Sequence, residues 1–231
     1  MTALICIPTY NEKENIEAII AAVLAVTDAN THVLVIDDNS PDGTGDLVHA
    51  MAQKDTRVQL LWREKKEGLG RAYIAGFRWA LENEYDIIVE MDADFSHRPE
   101  DLVKILKAVA SKDFAVGSRY VPEGRTINWG LLRKVISRGG SLYTRLILGY
   151  PLGDWTGGFN AWKSHVLHKI DLDQVKSNGY SFQIELKYRA LKSGFDGVEV
   201  PIVFEDRRVG KSKMSFKIVI EAFTRVWGMR Y

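Results

Sequence analysis

The chain has 231 residues, 46% of them apolar and 26% charged, which is enough for one domain with a substantial core. Lys and Arg number 31 against 30 Asp and Glu, and the net charge of +1 gives no pointer to nucleic acid. The single cysteine, Cys6, excludes disulfides within the chain and a cysteine-based zinc site, and favours a reducing compartment.

The first half alternates strands and helices. Ala3 to Ile7 is a short apolar strand, and Asn15 to Val26 has helical spacing at Ile16, Ile19, Ile20 and Val23. His32 to Ile36 is a second strand ending at Asp37-Asp38, followed by a loop and helix between Pro41 and Lys54. Val58 to Trp62 is a third strand, and Gly68 to Asn83 a helix with Leu69, Tyr73, Phe77 and Leu81 on one face. A fourth apolar run, Tyr85 to Met91, delivers Asp92-Ala93-Asp94, Pro99 opens the next helix, and Phe114 to Gly117 is a fifth strand. This alternation predicts a mostly parallel sheet with helices on both faces, whose ligands bind beyond the carboxyl ends of the strands. The second half is less regular. Leu131 to Leu148, Ser181 to Ser193 and Ser215 to Trp227 read as helices, and Val198 to Phe204 as a strand that Pro201 assigns to an edge.

Three strand ends carry polar groups and are expected to face one crevice: Pro8-Thr-Tyr-Asn-Glu12, Asp37-Asp-Asn-Ser40 and Asp92-Ala-Asp94. Two carboxylates at the rim of a core need a positive partner, and a hard divalent cation such as Mg²⁺ or Mn²⁺ fits best. Tyr10 offers a face for a base and Glu12 an acceptor for a base edge; a helix-capping turn explains the same residues. Asp37-Asp38 can hold ribose hydroxyls or form a polar turn. Gly68-Leu-Gly-Arg-Ala72 lacks the pattern of a phosphate loop and reads as a tight turn into a helix. His97, right after the acidic pair, could be a metal ligand, but an exposed loop histidine is the expected reading. Arg119 can neutralise a phosphate or pair with a site carboxylate. Asp154-Trp-Thr-Gly-Gly-Phe159 has enough small residues to let a ligand approach the backbone. Asp206 to Lys213 is a glycine-hinged basic loop suited to a diphosphate.

Charge is unevenly spread. Between Arg119 and Arg145 the only acid is Glu123, and beyond Arg207 the only acid is Glu221. Such stretches suit phosphate-bearing ligands or an anionic membrane surface. No signal peptide is expected at the N-terminus, and no run approaches the ~18 apolar residues of a spanning helix. The amphipathic stretches Leu131–Leu148 and Ser215–Tyr231 could instead lie at a membrane interface, with Trp129, Trp155 and Trp227 near head groups.

Taken together, Ile7-Pro-Thr-Tyr-Asn-Glu12, Asp37 to Gly43, Asp92-Ala-Asp94, Gly117-Ser-Arg119, Arg133 with Ser137-Arg138-Gly139, Asp154 with Gly158-Phe159, and Arg207-x-x-Gly210-x-Ser-Lys213 resemble the polyprenol-phosphate (dolichol-phosphate) mannose synthases. These are inverting glycosyltransferases of family 2. The resemblance runs from about Ala3 to Ser215. It implies an α/β glycosyltransferase A (GT-A) fold with a Rossmann-like, mixed but mostly parallel sheet. It also implies one unit over residues 1–231: a donor half to about 120, an acceptor half over about 121–214 and a C-terminal amphipathic helix over about 215–231.

The implied reaction moves mannose from GDP-mannose to a dolichyl or undecaprenyl monophosphate. By position, Pro8, Tyr10 and Glu12 would hold the guanine, and Ile36 and Asp38 the nucleoside. Asp92, Ala93 and Asp94 would line the diphosphate, and Asp92, Asp94 and Ser96 the metal, Mg²⁺ or Mn²⁺. Arg119, Arg207 and Lys213 would meet the donor phosphates or sugar, and Arg133, Ser137 and Asp154 the acceptor phosphate. Asp92, Asp94, Arg119 and Arg133 are the catalytic candidates. Many relatives have glutamine where this chain has Ser96, and a basic residue where it has Asn160. The expected location is peripheral, on the cytoplasmic side of a membrane, and a separate membrane-anchor subunit is a candidate partner. Two alternatives stay open on the residues alone: the same chemistry with UDP-glucose, and a catalytically silent nucleotide-binding scaffold.

Overall fold

The computed structural model describes residues 1–177, 179–206 and 225–230. Five strands and four helices alternate first: β1 (Ala3–Thr9), α1 (Lys13–Val26), β2 (Thr31–Asp37), α2 (Thr44–Ala52), β3 (Val58–Trp62), α3 (Leu69–Glu82), β4 (Ile87–Glu90), α4 (Pro99–Ser111) and β5 (Phe114–Ser118). Then follow β6 (Arg125–Ile127), α5 (Leu131–Leu148), β7 (Asn160–Lys163), α6 (Ser164–Lys169), a 3-10 turn (Leu172–Gln174), α7 (Tyr180–Lys192), β8 (Gly197–Pro201) and β9 (Val203–Glu205). Residues 225–230 are helical.

Seven strands form one sheet in the order β3-β2-β1-β4-β7-β5-β8, and β6 pairs with β9 in a small second sheet. The pairing is parallel except around β7, which runs antiparallel to both β4 and β5. Each buried strand is apolar on both sides because helices cover both faces. Alternation sends Ala3, Ile5 and Ile7 of β1 to one face, where they pack with Ile16, Ile20 and Leu102. Leu4 and Cys6 point to the other, against Tyr73, Phe77 and Phe182. Truncating a side chain such as Phe77, with no exposed surface, to alanine would cost about 3–5 kcal/mol.

The expected strand over 198–204 is two strands. β8 takes the sheet edge, as Pro201 requires, and Ile202 turns the chain: its N–H donates to the Ser118 carbonyl (3.1 Å) and its own carbonyl accepts from the Arg125 N–H (3.0 Å). The short strands β6 and β7 were not expected. The stretch expected to be helical over 215–227 lies outside the described residues except for its last three.

Candidate active site

β2, β1 and β4 are parallel neighbours, so their carboxyl ends open on one edge. The loops leaving β1 and β2 are laced together. The Asn11 N–H donates to Ser40 Oγ (3.0 Å), the Glu12 N–H to Thr44 Oγ1 (3.1 Å) and the Lys13 N–H to Asp42 (3.1 Å). Asp37 is wholly buried and accepts from the Thr9 and Ser40 hydroxyls at 2.8 and 2.6 Å, so it is the fastener of these loops. Asp38 is the carboxylate left at the rim, paired with Arg63. Burial pushes its carboxyl up, and the guanidinium pulls against that rise. Pro8 lies opposite Ile36 in the ladder. The Ile36 side chain is in the core beside Gly76, so only its backbone can face a nucleoside. Tyr10 is partly exposed with Lys66 Nζ 3.8 Å from its ring centroid, and Glu12 accepts from Asn15 Nδ2 (3.0 Å). Glu12 occupies the N-cap position of α1, without a side-chain capping bond.

Beyond β4 the chain turns sharply. Phe95 takes φ 60°, a left-handed conformation that is strained for a bulky side chain and whose presence points to a functional loop. The Asp94 carboxylate accepts from the Ser96 N–H (3.0 Å), and Asp92 lies 3.4 Å from the Tyr73 hydroxyl. Ala93 is packed into the core. His97 is not the exposed histidine expected. It is 2% exposed, stacks on Phe159 at 4.6 Å and accepts the Asp92 N–H on Nδ1 at 3.0 Å. That bond fixes the proton of the neutral ring on Nε2. Burial lowers its pKa, with Asp92 and Asp94 opposing and Arg119 adding to the fall.

Arg119 and Arg133 meet around one indole. The Arg119 guanidinium lies 5.3 Å and that of Arg133 4.1 Å from the Trp129 ring centroid. Arg119 also faces Tyr120 and Phe204. It donates from Nε (2.7 Å) and Nη2 (2.6 Å) to Asp154 and from Nη2 to Thr156 Oγ1 (2.8 Å). Ser137 accepts the Tyr120 hydroxyl (2.7 Å) and lies 3.4 Å from Thr156 Oγ1. Arg133 donates to Asp206 at 2.7 Å. Asp154, expected at the acceptor phosphate, has no exposed surface and is turned onto Arg119, so it reaches a ligand only through that arginine. The glycines after it admit protein instead of ligand: a Cβ on Gly157 would come within 3.2 Å of the Gly117 carbonyl and 3.3 Å of the Asp154 carboxylate. Trp129 and Trp155 are 8% and 0% exposed, so neither can lie among head groups; Trp227, at 52%, can. Arg207 and Lys213 lie outside the described residues.

Residues 4–171 match the family described as Glycosyl transferase family 2. The chain belongs to that family. It is 49% identical to the undecaprenyl-phosphate mannosyltransferase of Micrococcus luteus, over 99% of this chain and 95% of that one. It is 49% identical to the polyprenol monophosphomannose synthase of Mycolicibacterium smegmatis, over 98% and 87%. The dolichol-phosphate mannosyltransferase of Pyrococcus furiosus is 34% identical over 98% of this chain but only 63% of its own length. Among solved structures, glucosyl-3-phosphoglycerate synthase from Mycobacterium tuberculosis in complex with Mn²⁺, UDP and phosphoglyceric acid superposes with a TM-score of 0.70 at 17% identity, covering 97% of this chain and 78% of that one. The fold is therefore GT-A, as expected.

In this glycosyltransferase the expected residues rest on a buried polar layer that the sequence did not reveal. Glu90, the last residue of β4, accepts from Trp162 Nε1 (2.7 Å), Asn160 Nδ2 (3.4 Å) and the Gln183 amide. Burial pushes it up to about 7 against the pull of these donors and of Lys187. Lys187, also without exposed surface, donates to the carbonyls of Asp154 (3.2 Å), Trp155 (3.2 Å) and Gly157 (2.8 Å). Glu199 takes the N–H groups of Gly153 (2.7 Å) and Asp154 (2.9 Å) from the other side. The loop that orients Arg119 is thus held by an ammonium at its carbonyls and a carboxylate at its amides.

The residues expected to hold a metal fit one. Asp92, Asp94 and Ser96 offer only oxygen donors, the chemistry that Mg²⁺ and Mn²⁺ prefer. Among the described residues the buried Ser96 hydroxyl has no hydrogen-bond partner. Among the described residues no three His, Cys, Asp or Glu side chains cluster as ligands, so any further ligands would have to come from substrate oxygens and water.

Proposed function

We propose that this chain transfers mannose from GDP-mannose to a polyprenyl monophosphate, with inversion, giving a β-linked polyprenyl phosphate mannose and GDP. The observation that carries this reading is the 49% identity, over nearly the whole chain, to two enzymes named for mannosyl transfer to a polyprenol. The geometry supports it. Carboxylates for a metal and one arginine for phosphate lie around His97, whose ring feels Asp92, Asp94, Arg119 and Asp154 together. We read the chain as one glycosyltransferase unit, since β7 and β8 from its second half lie in the same sheet as β1–β5.

The acceptor phosphate has its second pKa near ~6, so at neutral pH it is largely a dianion and needs no general base. Its oxygen forms the new bond to the anomeric carbon from the face opposite the diphosphate, while the bond from that carbon to the GDP oxygen breaks. No proton moves. The chain's task is to hold two anions close together and to balance the charge that grows on the leaving diphosphate. Arg119, fixed by Asp154 and Thr156, faces the donor. Arg133 and Ser137 orient the acceptor phosphate. A cation held by Asp92, Asp94 and Ser96 supplies Lewis-acid stabilisation of the diphosphate when bound. Pro8, Tyr10, Glu12 and Asp38 serve the nucleoside, with Lys66 against the Tyr10 ring.

Among the described residues no helix is long and apolar enough to cross a membrane. α5 instead exposes Leu131, Leu132, Val135, Leu142 and Leu146 by more than half, interleaved with Arg133, Lys134, Arg138 and Arg145. An apolar stripe among cations suits peripheral docking on an anionic bilayer, next to the arginine proposed to take the lipid's phosphate. The deciding experiment is radiolabelled sugar transfer to a short polyprenyl phosphate from GDP-mannose and from UDP-glucose, with and without EDTA. Transfer from GDP-mannose that EDTA abolishes supports the proposal; preference for UDP-glucose, or indifference to EDTA, overturns it.

A further inference from the structure

Among the described residues, two of the buried side-chain donors without a hydrogen-bond acceptor belong to one stack: Trp129 Nε1 and Arg133 Nε. The indole is 8% exposed, with the Arg133 guanidinium carbon 4.1 Å and that of Arg119 5.3 Å from its centroid, and Phe204 edge-on at 5.3 Å. Native proteins rarely leave such donors unmatched, because a buried N–H without an acceptor is destabilising. Here the two orphans sit beside two guanidinium groups, and the carboxylates that face those arginines, Asp154 and Asp206, take neither of them. A group with several acceptor oxygens and negative charge, bound against Arg133, satisfies both. We infer that Trp129 is an acceptor-binding residue, its indole N–H donating to a phosphate oxygen of the polyprenyl monophosphate while its ring lies beside Arg119 and Arg133. The inference rests on the proposed function, which gives Arg133 that phosphate.

Trp129→Phe keeps an aromatic ring beside both arginines and removes the donor; Trp129→His keeps a ring N–H. Initial rates are measured with farnesyl phosphate as varied acceptor and with GDP-mannose as varied donor. Trp129→Phe is expected to raise the acceptor KM about tenfold, as for loss of a hydrogen bond to a charged group, with donor KM and kcat within about threefold. Trp129→His is expected to fall between Phe and wild type. An acceptor KM for Trp129→Phe within twofold of wild type overturns the inference, as does equal impairment of Phe and His. Arg133→Ala separates the two layers. If it raises the acceptor KM while Trp129→Phe does not, only the role of Trp129 fails; if it leaves the acceptor KM unchanged, the site reading beneath fails as well. Should the variants not fold, the wild-type protein labelled with ¹⁵N-indole is titrated with farnesyl phosphate. One indole N–H resonance should shift that GDP alone does not move, and no shifted indole overturns the assignment.

Discussion

Asp154→Ala tests the core of the site most directly. The carboxylate is wholly buried and accepts four hydrogen bonds: from the Arg119 backbone N–H (3.0 Å), Nε (2.7 Å) and Nη2 (2.6 Å), and from the Gly157 N–H (3.0 Å). Its partner guanidinium is 4% exposed. Deleting one member of a buried ion pair leaves a charge that water cannot reach, and costs about 3–5 kcal/mol. Against a total stability of about 5–15 kcal/mol that is a large fraction. Equilibrium denaturation in urea should show it as a lower midpoint at unchanged slope. Arg119→Met added to Asp154→Ala removes the stranded charge, so the double variant should recover much of the loss. A cost below about 1 kcal/mol for Asp154→Ala, or strict additivity in the double variant, would refute the reasoning. The pH dependence has a definite sign. Burial alone would raise the Asp154 carboxyl, but Arg119 and Lys187 outweigh burial and hold it below the usual carboxylate range. A depressed acid contributes stability that is present above its unfolded pKa of ~3.9 and is lost as pH falls through the folded value. Wild type should therefore lose this increment only below about pH 4, and Asp154→Ala should lack it at every pH.

Three further outcomes are expected. Asp94→Ala should lower kcat/KM for sugar transfer about a hundredfold or more while the melting temperature stays near wild type; near-normal turnover would sink the metal assignment. Lys187→Met, similar in volume but unable to donate, takes the ammonium from three buried carbonyls, of which Gly157 keeps the Asn160 amide (3.2 Å), and should cost at least about 2 kcal/mol in urea melts; transfer measured well below the melt should also fall, because the loop orienting Arg119 loosens, and unchanged stability would contradict the clasp. Leu142→Glu with Leu146→Glu on exposed positions of α5 should abolish flotation with anionic liposomes while leaving the melting temperature unchanged; full flotation would exclude α5 as the docking face.

The alternating half of the fold was legible because its signals are local. Ile16, Ile19, Ile20 and Val23 repeat at helical spacing, and all four are buried in α1. β1 to β5 read as apolar runs because a parallel sheet covered on both faces needs apolar residues at successive positions. β7 gave no such run. Asn160-Ala-Trp-Lys163 is short, and its first residue points a polar amide inward at Glu90 and Gln183, which are 70 and 23 positions away. His97 was misjudged for the same reason. Its burial depends on Phe159, which reaches it only because β7 inserts between β4 and β5.

The site divides along the same line. Residues that face outward from strand ends, such as Asp38, Asp92 and Asp94, announce themselves as charges following apolar runs. Residues that hold those groups in place do not, because each looks locally like something else. Lys187 reads as a solvated helix lysine among Phe182, Ile184 and Leu186, yet it has no exposed surface, and burial pushes its pKa down to about 8. Glu90 reads as the polar end of a strand. Four buried ionic groups, Glu90, Arg119, Asp154 and Lys187, come from β4, the end of β5, the loop before β7, and α7. Two are acids and two are bases, so their charges oppose one another inside the core, and removing any member leaves the others less balanced. The setting of Arg119 is therefore a property of the quartet, and a substitution at residue 187 should reach the transfer step through residue 119 without Lys187 touching either substrate.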